Sequence, residues 1–250
     1  MKYIYLALAT LLFTGCLGTT PVTDRKQVVF MSTHEENAVG AKGYHEFLQT
    51  AKISTDKVQT ARVKRIGERI AKAAARPDFN WEFNLIDNPQ VNAWCMPGGK
   101  VVVYTGILKM AKNDDQLATV MAHEVSHALA RHGAERMSHQ QISSGVQQLG
   151  NILLGATAPE YTSAFNMAYG VGTQYGVMLP YGRAHEYEAD EIGIHLMQKA
   201  GYNIHEAVKF WQNMRAASGG KASIEFLSTH PSDDNRIQKI SQIVQELEKK

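Results

Sequence analysis

The sequence predicts an α+β fold, mostly helical, with one small β-sheet. Capped helix starts followed by apolar residues at three- and four-residue spacing recur along the chain. β-Formers, by contrast, concentrate between Trp81 and Tyr104, where Asp87-Asn88-Pro89 and Pro97-Gly98-Gly99 mark turns. The 250 residues, 44% of them apolar, are enough for one substantial core. No repeat of thirty to fifty residues suggests a helical array.

Taken in order, Ser32-Thr33-His34-Glu35 reads as a capping box opening a helix that runs to about Ala51. Asp56 caps a second, with Val58, Val63, Ile66 and Ile70 facing inward. Trp81 to Ile86 alternates imperfectly, as a short strand does, and Lys100 to Tyr104 is the strongest strand signal. Asn113 caps a third helix, and Asp114 and Asp115 complement its dipole in the first turn. Its stripe of Leu117, Val120, Met121, Val125 and Leu129 predicts a half-buried helix. Arg131 and His132 fall in its last turn, and Gly133 stands at C′. A further helix opens after Pro180, with Ile192, Ile194, Leu196 and Met197 as apolar positions, and one more closes the chain. Between Arg136 and Arg183 the only formal charge is Glu160. That stretch, 137–182, reads as buried core helices, or more sharply as a lid or membrane-facing surface.

The third helix carries His123-Glu124-Val125-Ser126-His127. Imidazoles at i and i+4 share one helix face, so they can grip a single metal ion while Glu124 reaches an adjacent water as a base. The later helix offers a third ligand in Arg183-Ala184-His185-Glu186-Tyr187-Glu188-Ala189-Asp190. Glu186 completes a set of two histidines and one glutamate with one position left open, as catalytic zinc requires. Asp190, one turn on, is placed to accept a hydrogen bond from the far nitrogen of a ligating histidine. Glu188 leaves the choice ambiguous, being equally acidic and nearby, although it points about 200° away around the helix. Without the first motif, such an acidic helix start would read as a dipole complement or a solvated face.

Lys2 precedes an apolar run from Ile4 to Phe13, too short to cross a bilayer and typical of a signal-peptide core. Thr14-Gly15-Cys16 resembles a bacterial lipobox, in which Cys16 becomes the lipidated N-terminus, and Leu17 in place of Asp favours an outer-membrane destination. The expected organisation is a signal peptide over 1–15, a lipidated tether over 16–20 and one domain over 21–250. The expected location is the periplasm, anchored by lipid to the inner leaflet of the outer membrane. With Cys16 acylated, Cys95 is the only thiol left, so no intrachain disulfide forms, and Cys95 reads as buried packing. A net charge of +2 with dispersed lysines and arginines gives nucleic-acid binding no support.

Several segments carry a family resemblance. They are Pro21-Val22-Thr23-Asp24-Arg25 followed by Ser32, Glu35-Glu36 and Gly40; Asn92 through Gly106; His127 through Ser138; and Leu179-Pro180-Tyr181 leading to Glu186 and Ala189-Asp190. The chain resembles the zinc metallopeptidases of peptidase family M forty-eight, which includes HtpX, the CAAX prenyl proteases and the mitochondrial OMA-type peptidases. It looks similar in particular to the periplasmic lipoprotein branch with BepA and LoiP and to the mitochondrial OMA-type peptidases. Gly182 departs from the pattern, which usually has Ser there, and puts only a helix cap in question.

The resemblance implies a zincin-like metallopeptidase domain whose small β-sheet borders the active-site helix. Strand 100–104 would receive an extended substrate by β-augmentation, an ordinary interior strand being the simpler reading. It also implies one Zn²⁺ per chain on His123, His127 and Glu186, with Glu124 as base. Thr229-His230-Pro231 followed by Arg236 looks like the family's C-terminal motif. His230 is thereby a candidate to steady the oxyanion or to occupy the metal at rest, a plain turn residue before proline being the simpler reading. His132, His139, His185 and His195 read as helix-surface or core residues. The expected activity is a zinc endopeptidase of the bacterial cell envelope that hydrolyses misfolded or damaged envelope proteins. The alternative is a factor serving outer-membrane assembly machinery with little turnover, although the intact Glu124 argues against a dead scaffold.

Overall fold

A computed structural model describes residues 17–217, 225–231 and 234–249. The expected signal peptide and Cys16 lie outside the described residues. The chain begins with a hairpin of β1 (Leu17–Thr19) and β2 (Lys26–Val28). Then follow α1 (Thr33–Thr50), α2 (Lys57–Ala74), β3 (Glu82–Ile86), β4 (Ala93–Met96) and β5 (Lys100–Tyr104). The helices α3 (Asp114–Leu129), α4 (His132–Thr157) and α5 (Thr162–Thr173) lead through a π-helical turn to α6 (Leu179–Lys199). The last described elements are α7 (His205–Ala217), α8 (Glu225–Thr229) and α9 (Asp234–Glu248). Three helices therefore follow α6 where one was expected. Ala207, Phe210, Trp211 and Met214 in α7, and Ile240, Val244 and Leu247 in α9, supply the buried three- and four-residue spacings.

Local chemistry sets the helix starts. Ser32 and Glu35 form the reciprocal capping box, Asp56 accepts from the amides of Val58 and Gln59, and Asn113 accepts from the amide of Gln116. Val63, Ile66 and Ile70 of α2 are buried, but Val58 in the first turn is exposed. The end of α3 differs from the expected one. Arg131 takes the left-handed conformation (φ 57°), and its guanidinium is held by Glu36 at 2.7 Å and the Met31 carbonyl at 2.6 Å. Tertiary contacts to a non-glycine residue thus mark the break, and Gly133 lies inside the first turn of α4. Nor is α3 half-buried. From Gln116 to Ser126 every residue is buried, enclosed by α2, α6, α7 and the sheet.

The main sheet runs β3-β5-β4, with β5 parallel to β3 and antiparallel to β4. Gly98 and Gly99 (φ 80° and 81°) make the tight β4–β5 turn that other residues would resist. Because β5 is hydrogen-bonded on both sides and wholly buried, it has no free edge for a substrate. The expectation that strand 100–104 receives an extended peptide is therefore overturned. The edge strand that packs on α3 is β4.

The reading of 137–182 as buried core helices is also overturned, since Ser138 is its only buried residue. Beyond Ser138, α4 touches α6 where the His139 ring meets Tyr181, and pairs with α5 through Tyr169 donating to the Ser143 carbonyl and Gln147 to Asn166. Leu149, Ile152, Leu153 and Met167 stay 63–72% exposed. Among the described residues no helix is long and apolar enough to cross a membrane.

Two glycine substitutions test this account of α3 and its surroundings. A Cβ on Gly40 of α1 would lie 2.2 Å from the Pro97 carbonyl oxygen, whereas one on Gly133 would meet nothing within 4 Å. Gly40→Ala should lower the unfolding free energy in urea by about 1–3 kcal/mol. Gly133→Ala should be neutral or stabilise by up to about 1 kcal/mol. A clear loss for Gly133→Ala would return the helix end to that glycine.

Candidate metal centre and active site

α3 and α6 lie against each other over an extended contact. Gly193 on α6 lets the backbones approach, since a Cβ there would sit 3.2 Å from the His123 amide nitrogen. The two helices bring His123, His127 and Glu186 together. The Nε2 atoms of His123 and His127 are 3.2 Å apart, and Glu186 lies 3.3 Å from the first and 3.4 Å from the second. The turn after α8 adds His230, whose Nδ1 is 3.0 Å from Glu186 and 3.3 Å from His123 Nε2. One donor atom from each of these four residues lies within 4.8 Å of the other three. The expected ligand set thus converges, and His230 joins it.

Glu124 completes the group. It is buried, its Oε1 has no hydrogen-bond partner, and the nearest cation-forming atom is His230 Nε2 at 3.5 Å. Burial raises its carboxyl above the usual range. An orphaned carboxylate oxygen beside three lone-pair donors is costly in a dry interior and fits a site built around a cation and a water. For Glu186, burial works against ionisation, but the bonds to His123, His127 and His230 outweigh it and hold the group far below the ordinary carboxylate range. Burial dominates at His127 and keeps that imidazole well below its ordinary value.

Asp190 sits where the helical spacing puts it, with Oδ1 2.9 Å from His123 Nδ1. Arg236 of α9 grips the same carboxylate through Nε at 2.6 Å and Nη2 at 2.8 Å. It also donates to the carbonyls of His230 and Pro231 at 3.2 and 3.0 Å, and stacks on Trp211 at 3.7 Å. One guanidinium thereby fixes both the partner of His123 and the turn that carries His230. A cleft of about 480 Å³ opens beside Glu186, bounded by Met178, Tyr181, Arg183, Thr229 and Pro231. Cys95 is half-buried; burial, then the charge of Glu124, pushes its thiol up, and it stands outside the ligand group.

Glu188 is not the idle neighbour its helical angle suggests. It is buried and accepts from Thr20, Thr23 and Arg25 and contacts His132. His132 and His185 are both buried, as a core reading allows. His132 nevertheless also touches His127, and burial pushes it down to about 4 despite Glu188. These partners are separated by up to 168 residues, and only the matching segments Pro21 to Arg25 and His127 to Ser138 hinted at them. His139 and His195 take no part in the ligand group.

Two histidines one turn apart, a glutamate between them and a third ligand from a neighbouring buried helix define the site of a metallopeptidase. The chain belongs to Peptidase family M48, whose model matches residues 57–244. It is 34% identical to the mitochondrial metalloendopeptidase OMA1 of Schizosaccharomyces pombe over 239 residues, or 94% of this chain and 68% of that protein. The corresponding protein of Saccharomyces cerevisiae is 32% identical, with 95% and 73% covered. The beta-barrel assembly-enhancing protease of Escherichia coli is 31% identical over 90% of this chain, which spans 47% of that relative's length.

Proposed function

We propose that this chain is a zinc-dependent endopeptidase of the bacterial cell envelope, with one Zn²⁺ per chain and misfolded or damaged envelope proteins as substrates. The convergence of His123, His127 and Glu186 beside the unpartnered oxygen of Glu124 carries the chemical part of this reading. Zinc held there would polarise the scissile carbonyl and bring the pKa of water to about 7. Asp190 accepts the Nδ1 proton of His123 and so turns the Nε2 lone pair into the site. Glu124 takes the proton of the attacking water and delivers it to the leaving amine. The free edge of β4, packed on the active helix, suits pairing with an extended peptide.

Envelope location rests on the residues before the described structure, where Cys16 would carry the lipid anchor ahead of a single peptidase domain over 21–250. The exposed, charge-poor α4–α5 hairpin supports a setting against a bilayer. The name of the Escherichia coli relative supports contact with outer-membrane assembly machinery. The mitochondrial relatives support the peptidase chemistry but say nothing for this compartment.

Glu124→Gln should keep its zinc and lose peptidase activity by several orders of magnitude, whereas Glu186→Ala should lose the metal itself. Equal cleavage rates for Glu124→Gln and wild type would sink the mechanism and leave the assembly-factor alternative.

His230 lies close enough to serve as a fourth ligand at rest, leaving when substrate arrives. His230→Ala should then cleave itself or loose substrates faster with zinc retained. Slower turnover without self-cleavage would instead assign it to the oxyanion, and no change in activity or metal would exclude both roles.

Cys16→Ala should leave the membrane fraction or remain an uncleaved precursor. A variant still firmly in the outer membrane would show that another part of the chain holds it there.

A further inference from the structure

Behind His127 lies a second buried group of side chains that the proposed reaction does not use. His132 and Glu135 come from α4, His185 and Glu188 from α6, and Thr20, Thr23 and Arg25 from the link between β1 and β2. His127 Nδ1 is 2.9 Å from His132 Nδ1, and His132 Nε2 is 2.9 Å from Glu188 Oε2. One proton arrangement satisfies both contacts. A His127 that offers Nε2 to a cation carries its proton on Nδ1 and donates it to His132. The accepting His132 then carries its own proton on Nε2 and donates it to Glu188.

The far end of this chain is fastened in turn. Glu188 Oε1 accepts from the hydroxyls of Thr20, at 2.6 Å, and Thr23, while Oε2 accepts from Arg25 Nε at 2.8 Å. The other arms of Arg25 hold Glu135 at 2.8 and 2.7 Å. Glu135 lies 3.0 Å from His185 Nε2, and the His185 ring stacks on His132 at 3.9 Å, 9° from parallel. His132 is therefore fixed in its plane by hydrogen bonds and across its face by a ring.

We infer that His132 and Glu188 are positioning residues for His127, and that the turn over residues 20–25 is a clasp that holds them in place. This rests on the reading of His127 as a zinc ligand. Simple packing would not require such a group, because apolar side chains of equal volume would fill the space without burying two carboxylates against one guanidinium. What the polar group adds is direction and basicity at the ligating nitrogen. His123 receives the same service directly from Asp190, and His127 receives it through a second imidazole. The clasp belongs to the first described residues of the chain, 163–168 positions before Glu188. Seating of the N-terminal segment thus becomes a condition for tight metal binding.

The test is zinc affinity, measured by competition with a chromogenic chelator on the purified full chain, together with melting of the zinc-free form. Glu188→Gln and His132→Phe should each weaken zinc binding by about ten- to a hundredfold. The double variant should be no weaker than His132→Phe alone, since both act through one hydrogen bond to His127. Thr23→Val, at a half-buried position, should weaken zinc several-fold and keeps the test open if a core variant does not fold. His127→Ala is the control: wild-type affinity in it would refute the ligand reading itself, whatever the clasp does. With that control lost, affinities within twofold of wild type in Glu188→Gln and Thr23→Val would overturn the clasp. So would multiplied effects in the double variant, or a lowered melting temperature with zinc affinity intact.

Discussion

The packing around α3 answers to one constraint, the burial of four titratable groups at a single point between two helices. His123, Glu124 and Glu186 are nearly sealed from solvent, and His127 is only slightly less so. Ionised or lone-pair-bearing groups in such a place are expensive unless they are paired or turned toward a cation. Two arginines, buried Arg236 and half-buried Arg25, meet that demand on opposite sides. Arg236 neutralises Asp190 behind His123, and Arg25 spans Glu135 and Glu188 behind His127. In the middle, His123, His127 and Glu186 face one another, with Arg236 also 3.1 Å from Glu186.

The fold follows from that arrangement. α3 is buried almost along its length because a helix presenting metal ligands to a dry cavity needs apolar neighbours on its remaining faces. The sheet covers one side through β4, and α2, α6 and α7 cover the others. α9 contributes more than apolar closure, since its Arg236 ties Asp190 on α6 to the turn carrying His230. From residue 139 to 173 the α4–α5 hairpin stands apart, with no buried residue and its aliphatic side chains outside.

What the sequence made legible was local. Caps at Ser32, Asp56 and Asn113 act within three residues, and the i, i+4 pairs in α3 and α6 fix which side chains share a face. Those features point to His123, His127, Glu186 and Asp190, whereas His230 rests on the family resemblance. Several misreadings turn on partners distant in the chain. Arg131 marks the end of α3 because Glu36 and Met31 hold it, which nothing around Gly133 reveals. The family resemblance put the substrate on β5, yet the strong β-formers of that strand mark the centre of a sheet. Ile152-Leu153 would suit a core helix or an exposed one equally, since apolarity says nothing about what covers it. Glu188 was judged by its angle from Glu186, and that angle is correct. It points at a segment 163 or more residues away.

The most direct test is anomalous diffraction on both sides of the zinc edge, from crystals of the full chain grown with zinc. A single peak is predicted about 2.0–2.2 Å from Nε2 of His123, Nε2 of His127 and a carboxylate oxygen of Glu186. No peak there, or a peak on His132, His185 and Glu188 instead, would contradict the account.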